Sequence, residues 1–416
     1  MQYDMVFEGG GAKGMVFVGA LQEVESRGYI PSRLLGASAG AIMATFLAAG
    51  YQSAEMAEAL NETDEEDRPV FLGFLETPPA LTQEEIQRSA IRQLLRDVNL
   101  KFVPDFAEDK LDDAIANALA TSSVTGRLCS FIERGGFYAA ENFLAWLGTK
   151  LNSGIYALDR GAHPKSEPRR FGHMNLAEFH TATGTDLSLV ASDTSAAQIM
   201  ILNHRTAPDC PVIWAVRMSM SFPLLWHEVV WQPEWGTYRG ENVAGHSIVD
   251  GGMLSNFPIE LFLSDQPHVT AVMGDKTTEA LNVMGFLIDE AVEVPGAPVG
   301  AAQSEVKSFD FSQLQTIDRV KKLINTMTQA HDKIVIDAFE RFVVRLPAKG
   351  YGTIEFGMSE ERRAALVAAG RQVTAKYLDR MESLAAGGVS FGLESAAETR
   401  DLQSAADRIA GRILSH

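Results

Sequence analysis

The first 49 residues constrain the fold more than any other part of the chain. A short apolar run, Tyr3–Phe7, is typical of a buried strand, and a glycine-rich loop follows it directly. Apolar residues then recur at helical spacing up to Gly28, and Leu34 and Leu35 indicate a second strand. A serine turn leads into another helix. The order strand, glycine loop, helix, strand, serine turn, helix predicts an α/β fold.

The serine turn has the pattern Gly36-Ala37-Ser38-Ala39-Gly40. Small residues on both sides allow a strained strand-to-helix turn, which leaves the Ser38 hydroxyl clear at a helix N-terminus. A glycine loop one strand away can point backbone N–H groups at an oxyanion beside that serine. Each such donor is worth on the order of 10²–10³ in rate. We therefore predict a nucleophile, Ser38, and an oxyanion hole within the first 40 residues.

The glycine loop also matches two nucleotide-binding patterns in part. Gly9-x-Gly11-x-x-Gly14 fits the dinucleotide fingerprint, but that fold needs an acidic residue about 20 positions on, at the end of the second strand. No carboxylate stands there. A P-loop needs Ser or Thr after its lysine, and Lys13 is followed by Gly14. A glycine-rich turn without a ligand stays open as the remaining alternative to an oxyanion hole.

Composition excludes several classes of protein. The net charge of -18 argues against nucleic acid as a partner and disfavours long-range attraction to anionic bilayers. Two cysteines, Cys129 and Cys210, supply neither a disulfide framework nor zinc-ligand spacing. The sequence has no signal-peptide pattern and no apolar run of membrane-spanning length. We expect a cytoplasmic protein; peripheral attachment to a membrane and export without a cleaved signal peptide stay open.

The composition changes after the second helix. An acidic run, a capping box and two further helical patterns follow one another: Asn61–Arg68, Thr82-x-x-Glu85, Leu111–Ala120 and Glu141–Leu151. Residues 51–170 are therefore predicted to form a mostly helical insertion. The apolar patch Phe71–Leu75 belongs either to the core or to a lid over the site.

The second half of the chain returns to strand patterns. Six segments are predicted as strands, with a further edge strand at Thr353–Phe356: Leu187–Ser192, Gln198–Leu202, Val212–Val216, Glu228–Trp231, Ser247–Val249 and Val269–Met273. Two helices close the chain, Glu361–Leu384 and one capped by Ser395-x-x-Glu398.

One of these strands ends in Asp250-Gly251-Gly252. The two glycines allow a turn that leaves the carboxylate at the carboxyl end of a strand, where open α/β sheets keep their sites. Alone, this pattern is an ordinary turn. Because Ser38 needs a base, we predict that Asp250 supplies it.

The three motifs together resemble the patatin-like phospholipase family. Gly9-Gly10-Gly11-Ala12-Lys13-Gly14 is similar to its oxyanion loop, Gly36–Gly40 to its nucleophile elbow, and Asp250-Gly251-Gly252 to its aspartate turn. Ala191-Ser192-Asp193, Arg217–Pro223 and Ser359–Leu378 match the family more weakly. The likeness covers roughly residues 3–50 and 185–385.

The resemblance implies a three-layer α/β/α sandwich with a mostly parallel central sheet. From the sequence patterns we predict a catalytic domain over residues 1–385 and a helical tail at 386–416; the insertion 51–170 lies outside the likeness, and a role as a lid stays open for it. The resemblance further implies a lipid acyl hydrolase with a Ser38–Asp250 dyad and no histidine, metal or cofactor. The oxyanion would be held by N–H groups around Gly10, Gly11 and Ala12, and the substrate would be a membrane phospholipid or another acyl lipid.

Three alternatives stay open. The chain could be an ordinary α/β-hydrolase whose histidine is His268 or His331, although that fold places several strands before its serine. It could also be a non-catalytic lipid-binding or scaffolding protein on the same fold. Finally, the enzyme could be latent until an activating partner or ligand binds.

Overall fold

The computed structural model describes residues 1–93, 123–152, 170–276, 282–297, 333–387 and 395–414. The predicted helix Leu111–Ala120 lies outside these ranges. The strands are β1 Gln2–Phe7, β2 Ile30–Ala37, β3 Gly136–Tyr138, β4 Asp186–Asp193, β5 Gln198–Leu202, β6 Leu224–Trp226, β7 Val229–Val230, β8 Ser247–Asp250, β9 Val283–Glu293 and β10 Val343–Lys349.

Twelve of the helices in this part of the chain are labelled here. They are α1 Met15–Ser26, α2 Ala39–Ala48, α3 Ser53–Leu60, α4 Gln83–Arg88, α5 Ser123–Arg134, α6 Glu141–Asn152, α7 Leu176–Thr183, α8 Val212–Ser219, α9 Glu260–Leu263, α10 Pro267–Met273, α11 Glu360–Ala386 and α12 Ala396–Ile413. None of the helices among the described residues combines the length and the apolar character needed to cross a membrane.

The central sheet is mainly parallel. Its order is β10-β9-β1-β2-β4-β8-β7, and the first five of these strands run parallel to their neighbours. β5 and β8 pair with β4 in antiparallel register, and β7 pairs antiparallel with β8. The α/β fold with a mostly parallel sheet, predicted from sequence, is confirmed.

Helices pack on this sheet in two groups. α1 lies against α11, while α2 and α8 lie against β2 and β4. α1 and α11 approach closely because each has a glycine at the crossing. A Cβ atom on Gly19 would lie 1.8 Å from the Val367 carbonyl oxygen, and one on Gly370 would lie 2.2 Å from that of Val16.

Aromatic side chains of residues 71–146 form a cluster that is hydrogen-bonded to Trp226 of β6. Phe71, Phe74, Phe143 and Trp146 form one aromatic cluster, with ring centroids 5.1–6.1 Å apart. The Trp226 indole N–H donates to the Phe74 carbonyl at 3.1 Å. The patch Phe71–Leu75 therefore packs against the core rather than standing away from it.

Three of the predicted strands are wrong. Val212–Val216 lies in helix α8, Val269–Met273 lies in helix α10, and Thr353–Phe356 forms turns. A five-residue apolar run does not distinguish a strand from a short buried helix. The prolines were the overlooked signal, since Pro211 is the N-cap residue of α8 and Pro267 begins α10.

The two closing helices each begin at a capping serine, which was predicted for Ser395. The Ser359 side chain accepts from the Arg362 N–H at the start of α11, and the Ser395 hydroxyl accepts from the Glu398 N–H at 3.2 Å. The final helix α12 packs on α9, and its Asp407 carboxylate accepts from the Ser264 hydroxyl at 2.6 Å.

Candidate active site

Ser38 occupies the strained turn between β2 and α2. Its φ of 51° and ψ of -120° are unusual for a residue with a side chain, and such strain is common at functional turns. Gly36 and Gly40 make the turn sterically possible. A Cβ atom on Gly36 would lie 2.3 Å from the Gly40 carbonyl oxygen, and one on Gly40 would lie 2.2 Å from the Phe7 carbonyl oxygen. The Ser38 N–H donates to the Ser219 hydroxyl at 3.0 Å.

Asp250 ends β8 and its side chain faces the serine. The residue is only 2% exposed, and this burial raises the pKa of its carboxyl from the ordinary 3.8 to about 7. The nearby Ser38 hydroxyl and the Gly252 N–H, which donates to the carboxylate at 2.8 Å, lower the pKa in part. A carboxyl group with a pKa near neutrality can accept a proton and return it within one reaction cycle.

Pairing of β8 with β4 positions the aspartate. Asp250 lies opposite Ala191 in the antiparallel register, and its N–H donates to the Ser221 carbonyl at 3.0 Å. Gly251 must lack a side chain, since a Cβ atom would lie 2.4 Å from the Val190 carbonyl oxygen. Two of the three weaker sequence motifs thus contribute Ala191, Ser219 and Ser221, which contact the serine and aspartate backbones.

The glycine loop lies beside Ser38 without an intervening side chain. A Cβ atom on Gly9 would be 3.0 Å from the Ser38 Cβ, and one on Gly14 would be 3.0 Å from the Ala39 Cβ. Gly11 has a φ of 56°, and a Cβ atom there would lie 2.1 Å from the Thr353 carbonyl oxygen. Gly11 therefore requires glycine, whereas a side chain at Gly9 or Gly14 would crowd its neighbours.

The N–H groups of this loop are not equally available. Three already donate: Gly9 to the Asn256 carbonyl at 3.4 Å, Ala12 to the Thr353 carbonyl at 2.9 Å and Lys13 to the Gly10 carbonyl at 3.3 Å. Those of Gly10 and Gly11 donate to no acceptor among the described residues. The expected use of Ala12 as an oxyanion donor therefore conflicts with its hydrogen bond to Thr353, whereas Gly10 and Gly11 stay available.

Lys13 does not point at the serine. Its side chain is 5% exposed and forms an ion pair with Glu290 near the end of β9. The pair ties the glycine loop to the strand beside β1.

Two residues behind the glycine loop were not found from the sequence. The Asn256 side-chain amide donates to the Glu8 carboxylate at 3.1 Å and to the Gly9 carbonyl at 3.0 Å. The other oxygen of Glu8 accepts from the Ile288 N–H at 2.5 Å. These bonds connect β1, β9 and the segment after Asp250. The single sequence signal was a carboxylate at the end of an apolar strand.

Ser38 lies at the junction of two cavities. The inner cavity is narrow and its wall is mainly apolar, with these side chains: Met15, Ile42, Met43, Leu60, Phe71, Phe74, Phe143, Met220, Trp226, Phe356 and Met358. The outer cavity is much larger and contains Asp250, Lys13, Asn256 and the glycine loop. Phe356 and Trp226 line both cavities, with ring centroids 5.8 Å apart, and mark the boundary.

No histidine of the described residues lines either cavity. His268 lies on α10, which packs against α9 and α12, and His331 lies outside the described ranges. Within those same ranges, no three His, Cys, Asp or Glu side chains are grouped so that they could hold a metal ion.

The serine turn and Asp250 both lie in a part of the chain that matches a known protein family. The model of the patatin-like phospholipase family matches residues 5–263. The chain belongs to the patatin-like phospholipase family, whose members act on lipid substrates.

Individual relatives are more distant. The chain is 26% identical over 390 residues to the uncharacterized protein YqhO of Bacillus subtilis strain 168, covering 91% of this chain and 98% of that one. VipD from Legionella pneumophila is 17% identical with a TM-score of 0.41, covering 91% of this chain and 67% of VipD. A chain of the heterodimeric ExoU–SpcU complex from the type III secretion system of Pseudomonas aeruginosa is 14% identical with a TM-score of 0.34, covering 100% of this chain and 59% of that one.

Proposed function

We propose that the protein hydrolyses carboxylic esters of membrane lipids through Ser38 and Asp250, as a phospholipase A or lysophospholipase. The observation that carries this proposal is the position of Ser38, between a narrow apolar cavity and a wider cavity that contains Asp250. An ester of a fatty acid needs an apolar site for its acyl chain and a polar, open site for its head group. The inner and outer cavities supply these on the two sides of the serine.

In the acylation step, Asp250 accepts the Ser38 hydroxyl proton while the serine oxygen attacks the ester carbonyl carbon. The N–H groups of Gly10 and Gly11 stabilise the oxyanion that forms. Collapse of the tetrahedral intermediate breaks the bond to the leaving alcohol, which takes the proton from Asp250. The acyl group is then held on Ser38 as an ester.

In the deacylation step, water reaches the acyl-serine from the outer cavity. Asp250 takes a proton from this water while the water oxygen attacks the acyl carbonyl carbon. The N–H groups of Gly10 and Gly11 stabilise the second oxyanion. Release of the free fatty acid returns the proton to Ser38.

We also propose that the insertion belongs to the catalytic domain 1–385, with 386–416 as an appended helical tail. Leu60, Phe71, Phe74 and Phe143 from residues 51–170 line the inner cavity. Through these side chains the insertion covers the proposed acyl site.

The function is tested by comparing the purified chain with Ser38→Ala on mixed phospholipid vesicles. We expect release of fatty acid to fall by on the order of 10⁴-fold or more, because the nucleophile is removed. The exposed Ser26 provides the control Ser26→Ala, which should leave the rate unchanged. Release that survives Ser38→Ala in a folded protein would contradict the proposal.

The acyl site is tested by making it smaller. Ile42 lines the inner cavity one helical turn after Ser38, so Ile42→Trp should occupy space needed by long acyl chains. We expect kcat/KM for long-chain esters to fall about tenfold relative to short-chain esters. Ile30→Trp, at a position 53% exposed, serves as the control. An unchanged chain-length preference in Ile42→Trp would place the acyl chain elsewhere.

A further inference from the structure

Exposed apolar side chains occur on, and next in sequence to, residues that line the outer cavity. Nine large apolar side chains are exposed in the described part of the chain, and four of them lie on or directly beside residues that line this cavity. These four, called the apolar rim, are Leu254, Val292, Ile334 and Ile354, exposed by 41%, 37%, 63% and 43%. They come from four separate segments, so the rim is a product of the tertiary structure rather than of one apolar run.

Charges at the mouth are balanced, although the whole chain carries -18. Glu8, Lys13 and Asp250 are buried, and the other charged residues lining the outer cavity are two cations and three carboxylates: Lys333, Arg345, Asp289, Glu290 and Asp337. Glu290 pairs with Lys13 and Asp289 with Arg345, so that Lys333 and Asp337 balance each other. This face can therefore approach a lipid surface without the repulsion that the net charge imposes elsewhere.

We propose that the apolar rim docks the protein on a lipid surface by inserting into it, with the outer cavity facing the bilayer. The inference rests on the proposed function, because it assumes that the substrate of Ser38 is drawn from a membrane. A protein partner seated on all four rim residues would cover the mouth of the cavity. A bilayer in the same place instead delivers lipid into it.

The balanced charges determine which lipid surface the rim fits. Docking depends on apolar burial rather than on cation–phosphate attraction, so zwitterionic phosphatidylcholine is sufficient. Binding therefore depends only weakly on salt, in contrast to docking through a basic patch.

The test measures binding and not hydrolysis. Protein carrying Ser38→Ala is floated with phosphatidylcholine vesicles, and with vesicles that also contain an anionic phospholipid, at low and at high NaCl. Ile354→Glu and Ile334→Glu are each made in this Ser38→Ala parent and measured in the same way. Each rim substitution is expected to reduce the partition coefficient of the protein between vesicles and water about tenfold or more, because a charge replaces an inserted apolar group. Ile30→Glu, which changes a similarly exposed isoleucine at the start of β2, should bind as the parent does.

Four results would overturn the proposal. They are absence of binding by the parent, equal binding by parent and rim variants, an equal loss in Ile30→Glu, and binding that requires anionic lipid and disappears in high salt. A change of molar mass in Ile354→Glu or Ile334→Glu without vesicles would assign the rim to contact between copies instead. Since the serine is absent throughout, failure here is distinguishable from failure of the hydrolase proposal, which is judged by fatty-acid release.

Discussion

Asp250→Asn should abolish ester hydrolysis and, at pH 8, make the folded protein more stable. The amide cannot accept the serine proton, so we expect a rate loss on the order of 10⁴-fold. The stability gain arises because burial raises the pKa of this carboxyl from 3.8 to about 7. A shift of that size corresponds to roughly 4 kcal/mol of unfavourable free energy for the charged form in the folded state.

The sign of the pH dependence follows from the direction of the shift. Between about pH 4 and 7 the folded protein holds a proton on Asp250 that the unfolded chain has lost. The favourable contribution of this group is present below pH 4 and is lost as the pH rises through 7. The asparagine does not titrate. The stability advantage of Asp250→Asn should therefore grow across this window and be complete above it.

Thermal unfolding of wild type and variant at pH 5 and pH 8 measures this effect. Asp67→Asn is the matched control, since Asp67 is exposed and its positive φ of 59° suits asparagine. Hydrolysis by the wild type should rise with pH up to about 7, because only the carboxylate can act as base. The stability of Asp250→Asn minus that of wild type should be larger at pH 8 than at pH 5. A smaller difference at pH 8 would show that burial does not disfavour the charged form of this carboxyl.

Gly40→Ala is expected to destabilise the protein severely and to remove its activity. The added Cβ atom would lie 2.2 Å from the Phe7 carbonyl oxygen and 2.7 Å from that of Glu8. Both contacts are with backbone, so no side-chain rotation can relieve them. We expect a loss of more than about 3 kcal/mol in the free energy of unfolding. Movement of α2 would also shift Ser38 away from the glycine loop and from Asp250.

Urea unfolding compares this variant with Gly148→Ala. Gly148 lies within α6, and a Cβ atom there meets nothing within 4 Å, so alanine should stabilise the helix by about 0.5–1 kcal/mol. Opposite signs for two identical chemical changes would identify the close approach of β1 and α2 as the cause. Equal stability of Gly40→Ala and wild type would refute the steric account of the serine turn.

The local features of the site could be predicted because they depend on residues adjacent in sequence. The strand, glycine loop and helix at Tyr3–Gly28 follow from apolar periodicity and from glycine conformations, which act over a few residues. Helix caps such as Ser395 with Glu398 are equally local. The mistaken strand at Val212–Val216 shows the limit, since its apolar run suits either structure and only the preceding Pro211 indicated the helix.

What the sequence by itself determined is therefore the α/β unit, the serine turn and the family to which they belong. Tertiary structure alone placed Glu8 beside Asn256, engaged the Ala12 N–H with Thr353, and buried Asp250 deeply enough to raise its pKa. It also formed the two cavities and the apolar rim from distant segments. The physical reason is that backbone conformation is decided by neighbouring residues, whereas burial, charge balance and cavity shape depend on side chains that only the folded chain brings together.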